Sequence, residues 1–131
     1  MGVWLRVLGL VAIAAVAAIA IASPLAHAAS CSNSNQNSYA KVYATAYYSY
    51  GYGSAWGKVV MTKGSGYAVI EFYKDYHRVA VFHQYLGPGQ TYSQTYSTAA
   101  KRMVGVYVDA DVVSGSSVST YVAATQYFCQ Y

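Results

Sequence analysis

From Val104 to Val112 every second residue is apolar, so Val104, Val106, Val108, Ala110 and Val112 form one set, and Met103, Gly105, Tyr107, Asp109 and Asp111 form the other. Side chains alternate across an extended chain, so this spacing places the first set on one side of a β-strand. A strand with one such side must bury it against a second layer. The same period recurs upstream, where Ala40, Val42, Ala44, Ala46 and Tyr48 alternate with Tyr39, Lys41, Tyr43, Thr45 and Tyr47. No helical stripe of comparable length competes with it.

Turn residues interrupt the alternation at short intervals. Gly51-Tyr52-Gly53-Ser54 ends the first strand, and a second runs over Trp56–Lys63. Gly64-Ser65-Gly66 then reads as a hairpin turn onto Tyr67–Lys74. Asp75-Tyr76-His77 turns the chain into Arg78–Tyr85, and Gly87-Pro88-Gly89 turns it into Thr91–Ser97. After Met103–Val113 and a serine-rich turn, Val118–Cys129 closes the set. Seven short strands of this kind predict an all-β fold: a small seven-stranded antiparallel β-sandwich, immunoglobulin-like or another Greek key. A small closed barrel is the alternative. Thr98–Arg102 is the one place where a short helical turn is expected.

The start of the chain has a different chemistry. Arg6 is followed by sixteen apolar residues, Val7 to Ala22, and then by Ser23-Pro24 and Ala26-His27-Ala28. This pattern predicts a secretory signal peptide over residues 1–28, cut after Ala28. The apolar run is shorter than the ~20 residues that span a bilayer, so no stable membrane span is expected after processing. Small residues before Cys31 leave lipidation of that cysteine as an alternative. Residues 29–38 read as a polar lead-in tied by Cys31, and residues 39–131 as a single β domain. Export predicts one disulfide between Cys31 and Cys129, the two cysteines of the chain. In the loop-entropy picture a ring of that size contributes about 4.7 kcal/mol.

Beyond residue 28 there are seven basic residues, Lys41, Lys58, Lys63, Lys74, Arg78, Lys101 and Arg102, against Glu71, Asp75, Asp109 and Asp111. They are scattered rather than gathered into a stripe, which argues against a nucleic-acid partner. Catalytic chemistry is hard to assemble from this set. Ser65 between two glycines lacks the strand-turn-helix setting of a nucleophile elbow. His77 and His83 lack further ligands for zinc. Asp109 and Asp111 share a strand face, yet calcium needs six or more oxygens. Glu71 and Asp75 are the other conceivable carboxylate pair, of the kind a glycosidase uses. The reading is therefore no enzyme, no metal and no cofactor.

What remains is tyrosine, sixteen in all, each beyond residue 28. Tyr39, Tyr43 and Tyr47 repeat on the polar side of the first strand, and Tyr107 lies on the polar side of the Val104–Val112 strand. Tyrosine offers a large, stiff contact area with a polar tip, which suits recognition of protein or sugar. It also strengthens sheets by cross-strand pairing. The sequence thus predicts a small secreted or cell-surface non-catalytic domain for extracellular binding or surface structure, with Tyr39, Tyr43, Tyr47 and Tyr107 as the candidate binding face. The expected partner is an extracellular protein or glycan, and self-association is open. A secreted effector (an enzyme inhibitor or antimicrobial protein) is the first alternative, and a small secreted hydrolase the second.

Overall fold

The computed structural model describes residues 28–114 and 118–129. Residues 1–27, which carry nearly all of the expected signal peptide, lie outside the described residues. Eight strands follow in order: β1 (Ala28–Gln36), β2 (Ala40–Ser49), β3 (Tyr52–Met61), β4 (Ser65–Lys74), β5 (His77–Leu86), β6 (Thr91–Ala99), β7 (Val104–Ser114) and β8 (Val118–Cys129). They form two four-stranded antiparallel sheets, sheet I in the order β1-β2-β3-β6 and sheet II in the order β5-β4-β7-β8. The fold is a β-sandwich, and no strand is shared between the sheets to close a barrel. Strands β4, β5 and β6 run in sequence around one flank, and β7 returns beside β4. That is Greek-key order. Leaving β1 aside, the first of the remaining strands pairs with the second and the second with the fifth (β2-β3-β6), and the third, sixth and seventh share the other sheet (β4-β7-β8), as in the immunoglobulin arrangement; β5, the fourth, pairs with β4 in sheet II.

The eighth strand is the one the sequence reading treats as a lead-in. Residues 28–36 pair along the whole of β2, from Ala28 opposite Ser49 to Gln36 opposite Lys41. Serine, asparagine and glutamine have low strand propensity, so nothing local announces β1. It forms because the outer edge of β2 carries backbone groups that need partners. Its polar side chains suit an edge: Ser32 and Thr45 share a hydroxyl hydrogen bond at 3.1 Å. At the β1–β2 turn Asn37 Oδ1 accepts from the amides of Tyr39 and Ala40 at 2.8 and 3.0 Å.

The core lies between the layers. Sheet I contributes Ala40, Val42, Ala44, Ala46, Tyr48, Val59 and Met61, and sheet II contributes Ile70, Phe72, Val106, Val108, Val112 and Val122, all buried. The alternating sets of β2 and β7 are thus the inward ones. Small residues on β2 face valines on β7, which lets the sheets approach closely. Gly57 on β3 is the clearest case: a methyl group there would lie 2.8 Å from Cγ2 of both Ile70 and Val108. At the flank where β5 and β6 meet, Phe72 packs edge-on to Phe82, with centroids 6.0 Å apart, and stacks on Tyr96 at 5.5 Å. Phe82 and Tyr96, partly buried, close the side of the core.

Two turns differ from the sequence reading. The segment at Gly64-Ser65-Gly66 is not a hairpin, since β3 and β4 belong to different sheets and the chain crosses between layers there. The β2–β3 turn is formed by Tyr50 and Gly51, both with positive φ (50° and 81°), and Tyr52 already starts β3. Asp75 and Tyr76, at 48° and 70°, make the matching two-residue turn between β4 and β5. No helical turn forms at residues 98–102; the chain runs from β6 directly into an irregular crossover at 100–103.

Candidate functional site

The four tyrosines expected to make one face are separated by the fold. Tyr43 and Tyr47 do point outward from β2, half-buried and 45% exposed respectively. Tyr39 precedes β2, where the turn held by Asn37 swings its ring against the core. Tyr107 lies on β7, on the outer face of the opposite sheet. An unbroken row of Tyr39, Tyr43 and Tyr47 is therefore not present, and Tyr107 stands a full sandwich thickness away from it.

The outer face of sheet I is polar and carries no acidic residue. Its four-strand rows, read from the register, run Ser34–Tyr43–Lys58–Ser93, Ser32–Thr45–Trp56–Thr95 and Ser30–Tyr47–Ser54–Ser97. Lys41 occupies the next row, and Lys58 Nζ lies 5.8 Å from the centroid of the Tyr43 ring. A shallow depression between Ser32, Ser34, Tyr43, Thr45 and Trp56 marks this surface. Trp56 belongs to it but carries no sequence signal beyond being aromatic in a strand.

The outer face of sheet II is different. Its rows run Tyr85–Tyr67–Asp111–Tyr121 and His83–Val69–Asp109–Ala123, followed by Val81–Glu71–Tyr107. Tyr67 and Tyr85 are each 52% exposed and meet edge-to-face at 5.2 Å, while Tyr121 is 60% exposed. Val79, Val81 and Val113 are exposed on the same side. This is the largest run of exposed aromatic and aliphatic side chains on the described surface, and such runs mark interaction sites. The sequence pattern hides it because β5 carries apolar residues on both faces: Val79 and Val81 are exposed, whereas Ala80, Phe82 and Leu86 turn inward.

Carboxylates sit inside that face. Asp109 is 7% exposed, flanked by Val69 and Ala123 on the neighbouring strands, and its Oδ1 has no hydrogen-bond partner among the described residues. Burial, then the negative charge of Asp111, pushes its pKa up to about 6; a hydrogen bond from Tyr121 partly offsets this. The Tyr107 and Tyr121 hydroxyls bond to each other, and burial raises the Tyr107 pKa above the ordinary tyrosine value. Glu71 accepts a 2.7 Å hydrogen bond from the Tyr73 hydroxyl and lies 3.6 Å from Arg78.

The other sequence candidates are placed as follows. Asp75 does not meet Glu71 in a cleft. Its carboxylate accepts from the backbone amides of Lys101, Arg102 and Met103 at 3.0, 2.6 and 3.2 Å, and these bonds, the Lys101 one foremost, hold its pKa below the usual range. Lys101 and Arg102 thus bind Asp75 through their main chain. His83 is exposed beside Val69, and His77 is the first residue of β5 rather than part of the turn. Among the described residues no three of His, Cys, Asp and Glu converge to hold a metal ion. Cys31 is half-buried against the core, level with Ala46 in sheet I, and makes no disulfide among the described residues. Cys129 is level with Val104 in sheet II, and its side chain is outside the described residues. The expected Cys31–Cys129 bond is not formed in this structure, and it would join the two sheets rather than tie down a loose lead-in.

Among the described residues no helix is long and apolar enough to cross a membrane. No protein-family model, no curated protein and no solved structure matches this chain.

Proposed function

We propose that the chain is an exported, non-catalytic β-sandwich domain that works by surface contact, in extracellular binding or in building an extracellular surface. One observation carries this reading: the outer face of sheet II exposes Tyr67, Tyr85 and Tyr121 with Val79, Val81 and Val113, on rigid strands rather than loops. Rigid aromatic side chains lose little entropy on contact, and placing them on a sheet fixes their spacing. The candidate face therefore moves from the tyrosines of β2 to those of sheet II, with Tyr107 common to both readings. Export rests on the charge-apolar-small pattern of residues 1–28, and the Cys31–Cys129 disulfide on the oxidising compartment that export implies.

The test is sedimentation of purified chain with intact producing cells and with their isolated envelope glycans. Wild-type chain is expected to co-sediment, and Tyr67→Ser/Tyr121→Ser to lose at least tenfold in affinity with little change in melting temperature. Equal binding by both would remove the sheet II face from the function. The disulfide is checked on native extracellular chain: both cysteines should resist alkylation until reductant is added, and immediate labelling would show free thiols.

A further inference from the structure

The two outer faces carry opposite charge. All four acidic residues of the chain lie on β4, β7 and the β4–β5 turn, and Glu71, Asp109 and Asp111 stand on the outer face of sheet II. Only Arg78 offsets them there, already close to Glu71. The outer face of sheet I carries Lys41 and Lys58 and no acid. Each face also presents aromatic rings: Tyr43, Tyr47 and Trp56 on one, Tyr67, Tyr107 and Tyr121 on the other.

We infer that a second copy of this chain is the partner, the lysine-bearing outer face of sheet I in one copy docking on the tyrosine–carboxylate face of sheet II in the next. This deepens the surface-contact reading and rests on it. Size permits it: four strands ~4.8 Å apart and ten residues long present roughly 600 Å² in projection, close to the ~800 Å² per partner of a standard interface. Charge selects it over the symmetric pairings. Sheet II against sheet II sets Asp111 and Glu71 against their own kind, and sheet I against sheet I does the same with lysines, whereas sheet I against sheet II pairs opposite signs. Asp109 adds to the preference, because a buried carboxylate with an unpartnered oxygen is stabilised by an ammonium group brought to the face above it. The two docking faces differ and lie on opposite sides of the molecule. The contact is therefore heterologous and head-to-tail, and it builds an open stack rather than a closed dimer.

Sedimentation velocity over micromolar to millimolar concentration, at low and high salt, is the experiment. The unmodified chain should form a concentration-dependent ladder of oligomers that shortens with salt. Lys41→Glu/Lys58→Glu should weaken association at least tenfold, and adding Asp111→Lys to that variant should restore it. A single species of chain mass up to millimolar concentration, assembly that stops at a dimer, or indifference to the lysine reversal would each overturn the inference. If the chain stays monomeric yet binds cells through Tyr67 and Tyr121, the surface-contact reading stands and the second copy is excluded as its occupant.

Discussion

Asp109 is the residue at which this fold accepts a cost. It is buried between Val69 and Ala123 with Asp111 nearby on its own strand, and one of its oxygens has no partner among the described residues. Because its folded pKa of about 6 lies above the unfolded value, the native state holds the proton more tightly. This contribution to stability is full near pH 4 and below, and declines as pH rises toward and through 6. Melting temperature should therefore fall between pH 4 and pH 6.5, and Asp109→Asn should remove that fall and raise the melting temperature at pH 7. A wild-type profile that is flat across this window, or an unchanged slope in the variant, would contradict the account.

Among the elements, the β4–β5 hairpin shows how one side chain can fasten two turns. Asp75 adopts positive φ in a two-residue turn that favours such residues at no great cost for Asp. From there its carboxylate reaches the three amides of the β6–β7 crossover, and its own amide bonds the Met103 carbonyl at 3.0 Å. The hairpin of sheet II thus sets the path by which the chain leaves sheet I. Asp75→Ala should lower stability by about 1–2 kcal/mol, as loss of a carboxylate cap does. Its pH signature is opposite to that of Asp109: the contribution is present above the unfolded pKa near 4 and is lost as pH falls below it. Denaturant titrations of wild type and variant should therefore converge in acid and separate at neutral pH.

For the whole molecule, the separation of the layers is set where β3 crosses β7. Gly57 has no side chain, and the space is filled by Ile70, Val106 and Val108 from the other sheet. Gly57→Ala would place its methyl against branched side chains that cannot swing away. It should cost about 1–3 kcal/mol, as overpacking does, despite alanine's better fit to an extended chain. A stabilised Gly57→Ala variant in a thermal melt would show that the sheets are free to separate slightly.

The division between local and tertiary information follows from the same geometry. Alternation along β2 and β7 determined the all-β class, the two-layer build and the inward residues Val42, Ala44, Ala46, Val104, Val106, Val108, Ala110 and Val112, because side-chain direction in an extended chain depends on parity alone. Parity says nothing about which strand lies alongside. Glycine-rich turns read the same whether they close a hairpin or carry the chain between sheets, so the crossovers at 62–64 and 87–90 emerged only from the pairing. Polar β1 became a strand because β2 had an edge to fill, and Tyr39 left its expected face because the Asn37 turn rotates it. The exposed tyrosines of sheet II, Tyr67, Tyr85 and Tyr121, came from β4, β5 and β8, each apolar or mixed on its own. Their assembly into one face was decided by hydrogen-bond register between strands, which is a property of the folded chain and not of any segment of it.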